Sequence, residues 1–119
     1  MNIDFGSYYY TQLAQARPAN TSTNTLYAKP ANTQVFVTSI LLANVTASDA
    51  TYSIFWDADG TTYTTDTAIA YNVTLAANGI ASLEFENPIP LVVNGAFGIQ
   101  SGTSGAITYT LSGFIRNVQ

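Results

Sequence analysis

Beyond Leu26, apolar and polar residues alternate with a period of two through most of the chain. Tyr52, Ile54 and Trp56 oppose Ser53, Phe55 and Asp57; Ile69, Tyr71 and Val73 oppose Ala68, Ala70 and Asn72; Ile107, Tyr109 and Leu111 oppose Thr108, Thr110 and Ser112. Successive side chains of a strand point to opposite faces, so the pattern predicts half-buried β-strands. Strand-like runs fall at 25–29, 34–46, 51–57, 67–74, 79–86, 89–93, 95–101 and 106–115. Turn chemistry separates them: KPANT (29–33), DADG (57–60), AANG (76–79), NPIP (87–90), VNG (93–95) and SGTSG (101–105). Asn-Gly and Asp-Gly suit the positive φ angles of tight turns. Eight short strands at this spacing predict an all-β fold, a single antiparallel β-sandwich of jelly-roll type. At Gly113 the phase is interrupted, with Phe114 and Ile115 side by side, which predicts a bulge or the end of a sheet.

The run QVFVTSILLANV (34–45) departs from simple alternation. Val35, Val37, Leu41, Ala43 and Val45 fall on one face, and Phe36, Ile40 and Leu42 on the other. A two-layer sandwich covers one face of each strand, so the second set calls for a cover. A neighbouring subunit is the expected one; the alternatives are the N-terminal segment folding back, or scattered surface apolar residues. Residues 1–24 have no sustained period. TQLAQA could form one helical turn, Pro18 stops it, and ANTSTNT is coil chemistry. The expected division is an extended N-terminal arm at 1–24 and a β-sandwich domain at 25–119. The arm's aromatic residues are contact groups, so the expected interface set is Phe5, Tyr8, Tyr9, Tyr10, Phe36, Ile40 and Leu42.

Composition narrows the chemistry. The 119 residues include no Cys and no His, which removes thiol catalysis, thiolate and imidazole metal ligation and the commonest general base. Charged residues make up only 8%, against 47% hydrophobic and 13% aromatic, a surface suited to packing against other chains. With 3 basic residues against 7 acidic ones, no basic patch exists for nucleic acid. No apolar run approaches the ~18 residues of a membrane span, and MNIDFGSYYY has an acid where a signal peptide is basic. The expectation is synthesis in a host cytoplasm without export by that route, and no membrane partner.

Candidate chemical sites are weak. Asp57, Asp59 and Asp66 in DADGTTYTTD hint at calcium, but an EF-hand loop needs a bidentate Glu at its twelfth position, and Ala68 stands there. A chain-reversing turn is the better reading, with weak surface calcium binding left open. Glu84 and Glu86 share one strand face instead of opposing each other across a substrate. Sequons at Asn20, Asn44 and Asn72 arise readily in a chain rich in Asn and Thr. Trp56 and exposed tyrosines could form a carbohydrate-stacking platform, yet Trp56 shares a face with Tyr52 and Ile54, so core is preferred for it. No catalytic residue, metal ligand or cofactor is expected, and the chain does not read as an enzyme.

Residues 26–113 resemble small β-sandwich structural proteins of tailed-bacteriophage virions, the head decoration or cement proteins and related tail accessory proteins. The likeness lies in a tyrosine and a PAN turn opening a long strand, SI and N within it, a DG turn, LAANG, NPI and a closing SG. Lys29 departs from it, standing where such sequences more often carry an apolar residue. The resemblance implies a protein bound to assembled major capsid protein on the outer surface of the phage head, as a homotrimer, holding capsomers together. The alternative is a carbohydrate-binding or receptor-contacting module on the tail or head surface.

Overall fold

The computed structural model describes residues 7–118. They form eight strands: β1 (Tyr9–Ala16), β2 (Asn24–Ala28), β3 (Thr33–Asn44), β4 (Ala50–Asp57), β5 (Ala68–Leu75), β6 (Ile80–Leu91), β7 (Ala96–Ser101) and β8 (Ile107–Asn117). Two four-stranded sheets have the orders β1-β8-β3-β6 and β2-β7-β4-β5, and every pairing is antiparallel. First pairs with last, second with seventh, third with sixth and fourth with fifth. This is one long hairpin wrapped into two layers, the jelly-roll winding expected from the strand pattern.

Within the segment expected as an arm, residues 9–16 are instead an edge strand in register with β8. TQLAQA is therefore extended, not helical. Its residue types give a weak strand signal, and the ladder of β8 supplies the order that local propensity lacks. The runs at 79–86 and 89–93 are one strand, β6, that continues through Pro88 to Leu91. Its place at the sheet edge tolerates proline, which cannot donate to a ladder. The expected count of eight survives because one missed strand offsets one strand split in two.

The core lies between the sheets, with Val35, Val37, Ile40, Leu42, Ile54, Phe97, Ile99, Ile107, Tyr109 and Leu111 buried in it. Ile40 and Leu42, expected at an interface, are thus fully enclosed by their own chain. The cause is a bulge at Thr38. Val37 pairs with Gly113 and Ser39 with Ser112, leaving Thr38 as an extra residue that inverts the phase of β3. Val35 and Val37 before it and Ile40 and Leu42 after it therefore face the same core, while Leu41 turns outward.

β8 runs through Gly113 without losing phase: Ile107, Tyr109 and Leu111 are buried and Phe114 is exposed. The irregularity belongs to its neighbours, at Leu13 of β1 and Thr38 of β3. A Cβ on residue 113 would stand 2.1 Å from the Phe36 carbonyl oxygen, so the close approach of β3 requires glycine here. Connecting turns use left-handed Asn: Asn32, Asn78 and Asn94 have φ of 61°, 57° and 68°. Asn44 is buried with its amide satisfied. Its Nδ2 donates to Leu75 O at 3.0 Å and Ser48 O at 2.9 Å, and its Oδ1 accepts from Thr46 N at 3.0 Å. That sequon is a structural bracket for the turn after β3.

Candidate functional site

The outer faces of the two sheets differ. On β2-β7-β4-β5, Thr25, Gly98 and Phe55 stand side by side. The loop at 58–67 returns over them. Tyr63 packs against Phe55 with ring centroids 5.8 Å apart, and its hydroxyl lies 2.8 Å from Thr25 Oγ1. A Cβ on residue 98 would come within 2.5 Å of the Tyr63 ring, so glycine makes the seat. Asp57 anchors the loop, with Oδ2 accepting from Thr62 N at 2.7 Å and Oδ1 from Asp59 N at 3.3 Å. These amide hydrogen bonds hold its carboxyl below the usual range. The DADG stretch is thus a loop hub, the turn reading preferred from sequence, and among the described residues no group of three or more acids converges as a metal site would require.

On β1-β8-β3-β6 the outer face carries a row of large apolar residues with no such cover in the described chain. Tyr10, Phe114, Phe36 and Pro90 are lateral partners across all four strands. Tyr10 meets Phe114 edge-on at 5.3 Å between centroids, and Tyr8 meets Phe36 likewise at 5.5 Å. Tyr8, Phe36, Phe114 and Pro88 line an open hollow of about 390 Å³. Phe36 also lines a groove of about 490 Å³ that runs past Lys29 to Val92 and Val93. Val93 is 72% exposed, so this end of the face is wet and apolar.

Polar groups frame the row at both ends. On one side the Arg116 guanidinium lies 4.7 Å above the Tyr8 ring centre, and Arg116 Nε and the Tyr8 hydroxyl both donate to Gln34 Oε1, at 2.8 and 2.6 Å. On the other, Gln12, Ser112, Ser39 and Glu84 form the next row, with Glu86 beside it. Hydroxyl donors at Thr38, Ser112 and Ser39 lower the pKa of Tyr10. The pieces can bury apolar surface and pair charges; no nucleophile with a base stands among them.

Of the seven residues expected at an interface, Tyr8, Tyr10 and Phe36 meet on this face. Tyr9 points to the opposite side of β1, Ile40 and Leu42 are core, and Phe5 lies outside the described residues. Phe114, Pro88, Pro90 and Arg116 complete the face and lie outside that expected set. Phe114 was legible in principle: continuing the parity of Tyr109 and Leu111 through Gly113 turns it outward. Trp56 pairs with Phe97 toward the core, and its Nε1 is enclosed without an acceptor among the described residues.

No family model and no curated protein matches the sequence. Solved structures share the fold. One is a chain of the acidic stable capsid structure of Helicobacter pylori bacteriophage KHP30, with TM-score 0.54 and 12% identity over 96% of this chain and 90% of that one. Another is a chain of the Bacillus endospore appendages, which form disulfide-linked pili, with TM-score 0.51 and 20% identity over 96% and 92%. A third comes from infectious bursal disease virus strain Gx, with TM-score 0.50 and 17% identity over 92% of this chain but 31% of that one. At these identities the likeness is one of fold: a jelly-roll sandwich.

Proposed function

We propose that the chain is a non-enzymatic structural protein of a virus particle, acting as a decoration or cement protein on the outer surface of a phage head. The observation that carries this reading is the uncovered aromatic face of β1-β8-β3-β6. Fully burying an exposed aromatic side chain contributes roughly 1.5 to 3 kcal/mol, and rings exposed to 37% (Phe114) and 58% (Tyr10) each contribute a part of that, enough for several together to hold a protein partner. The fold shared with chains from two virus structures supports the same class. The partners are the major capsid protein and further copies of this chain, for which the sequence resemblance implies a trimer. The carbohydrate-binding alternative is weakened, because Trp56 packs against the core and Arg116 covers one face of the Tyr8 ring, leaving Tyr9, Tyr10 and Tyr71 as the exposed tyrosine rings. The test is mass spectrometry of purified particles from the virus that carries the gene. The chain is expected in numbers comparable to the shell protein; its absence from intact particles overturns the reading.

A further inference from the structure

The face is charged at its two ends with opposite sign. Arg116 stands two residues beyond Phe114 on one side, at the same end as Lys29 of the adjoining groove. Ser112 stands two residues beyond Phe114 on the other, in a row that continues through Ser39 to Glu84, with Glu86 next to it. Two of the chain's 3 basic residues therefore sit on one flank of the apolar row, and both carboxylates of β6 on the other. The two ends are about 14 Å apart along β8, four residues of strand.

The geometry points to a second copy of this chain as the occupant of the face, packed sheet against sheet about a two-fold axis that runs along the row Tyr10–Phe114–Phe36–Pro90. Such an axis maps each end of the face onto the opposite end of the partner. Arg116 of each copy is carried over the partner's Ser112, in the row that holds Glu84 two strands and about 10 Å further along, near enough for opposite charges to attract, and the aromatic row meets itself at the centre. A contact made twice by one surface is self-complementary only if its charges are antisymmetric about the axis, and these are. A shell protein could also occupy an apolar face, but nothing in that role requires the antisymmetry. The pattern favours a closed pair over a three-fold ring, whose contacts join two different patches. This inference rests on the reading of the face as a protein contact.

The test uses the full chain and reversed charges. Arg116→Glu and Glu84→Arg, made separately, each reverse both symmetry-related charge relations and are expected to weaken self-association at least about tenfold in sedimentation equilibrium. An equimolar mixture of the two variants restores it, because every contact in the mixed pair is again Arg against Glu. A chain that stays monomeric, association that neither reversal changes, or a mixture that does not recover each overturns the two-fold pairing. Binding of both variants to emptied shells separates the two readings. Lost shell attachment by a monomeric protein overturns the pairing and leaves the virion role standing. Should Arg116→Glu fail to fold, Phe114→Cys serves, since the chain has no other cysteine. A short bismaleimide is expected to join two such chains and to leave Tyr71→Cys, on β5 of the other sheet, unjoined; equal joining of both overturns the inference.

Discussion

The outer face around β4 and that of β1-β8-β3-β6 carry comparable aromatic groups and dispose of them differently, although Tyr71 of β5 is itself 51% exposed. Phe55 on β4 is covered by Tyr63 of its own chain and is 1% exposed; Phe114 on β8 is 37% exposed and Tyr10 on β1 58%. The first face has a ten-residue loop, a carboxylate hub and a glycine seat devoted to it. The second has none of these, only a frame of polar and charged groups. An aromatic group covered from within adds to the stability of the chain, whereas one left bare adds to the stability of an assembly. That difference is what the substitutions below break or sharpen.

The largest effect is expected at the glycine that lets β3 and β8 approach beneath the bare face. Gly113→Ala sets a Cβ against the Phe36 carbonyl, a backbone group that cannot swing aside. The strands must separate, at a cost of about 3 kcal/mol, read as a lowered urea midpoint. An unchanged midpoint would show that the bulge is soft and the bare face plastic.

Next come matched truncations of the two faces. Tyr63→Ala uncovers Phe55 and removes the hydroxyl contact with Thr25, and about 2 to 3 kcal/mol of monomer stability is expected to go with them. Phe114→Ala is expected to cost less, about 1 to 2 kcal/mol in the monomer, since its ring is already 37% exposed, while weakening association. Equal losses of monomer stability would erase the distinction between the faces.

Between the sheets, Tyr109 of β8 reaches across to β7, with its hydroxyl 2.8 Å from Ser101 Oγ and donating to Gln100 O at 3.0 Å. Burial raises its pKa from 10.0 to about 12. The folded state holds the proton more tightly than the unfolded one. Its contribution is therefore complete below pH 10 and falls away as pH rises through about 12, by up to about 3 kcal/mol. Tyr109→Phe should flatten that alkaline limb of a chemical-denaturation series; a limb of unchanged slope would assign it to other tyrosines.

Alternation made the sheets, their turns and most of the core legible, because one buried face per strand imposes a period of two. What it could not show are features that break the period without leaving a mark in it. The bulge at Thr38 moves Ile40 and Leu42 from an apparent second face into the core, and only the polar pair Thr38-Ser39 between two apolar runs hints at it. β1 is held by its neighbour's ladder, so its own residues need no strand signature. The site was half legible for the same reason. Tyr8, Tyr10 and Phe36 draw notice as large apolar residues in odd places, but their meeting with Phe114 and Pro90 depends on register, which is set across strands far apart in sequence.

The smallest expected effect is local and tests whether the covered face owes its cover to Asp57. Hydrogen bonds from the Thr62 and Asp59 amides lower the Asp57 pKa below its unfolded value of 3.8. A depressed carboxyl contributes stability above the unfolded pKa and loses it as pH falls through the folded one, so the loop should loosen only in strong acid. Hydrogen exchange at the Thr62 amide reports this directly. Protection is expected to persist at neutral pH and to fall as pH drops below 3.8, while Asp57→Asn, whose amide oxygen is a weaker acceptor, exchanges faster at every pH and without the acid step. Amides of β8 beneath the bare face should show neither behaviour, since no carboxylate anchors them. An acid step that persists in Asp57→Asn, or one that spreads equally to β8, would mean that the loop is held by its aromatic packing on Phe55 and Gly98, with Asp57 a passenger.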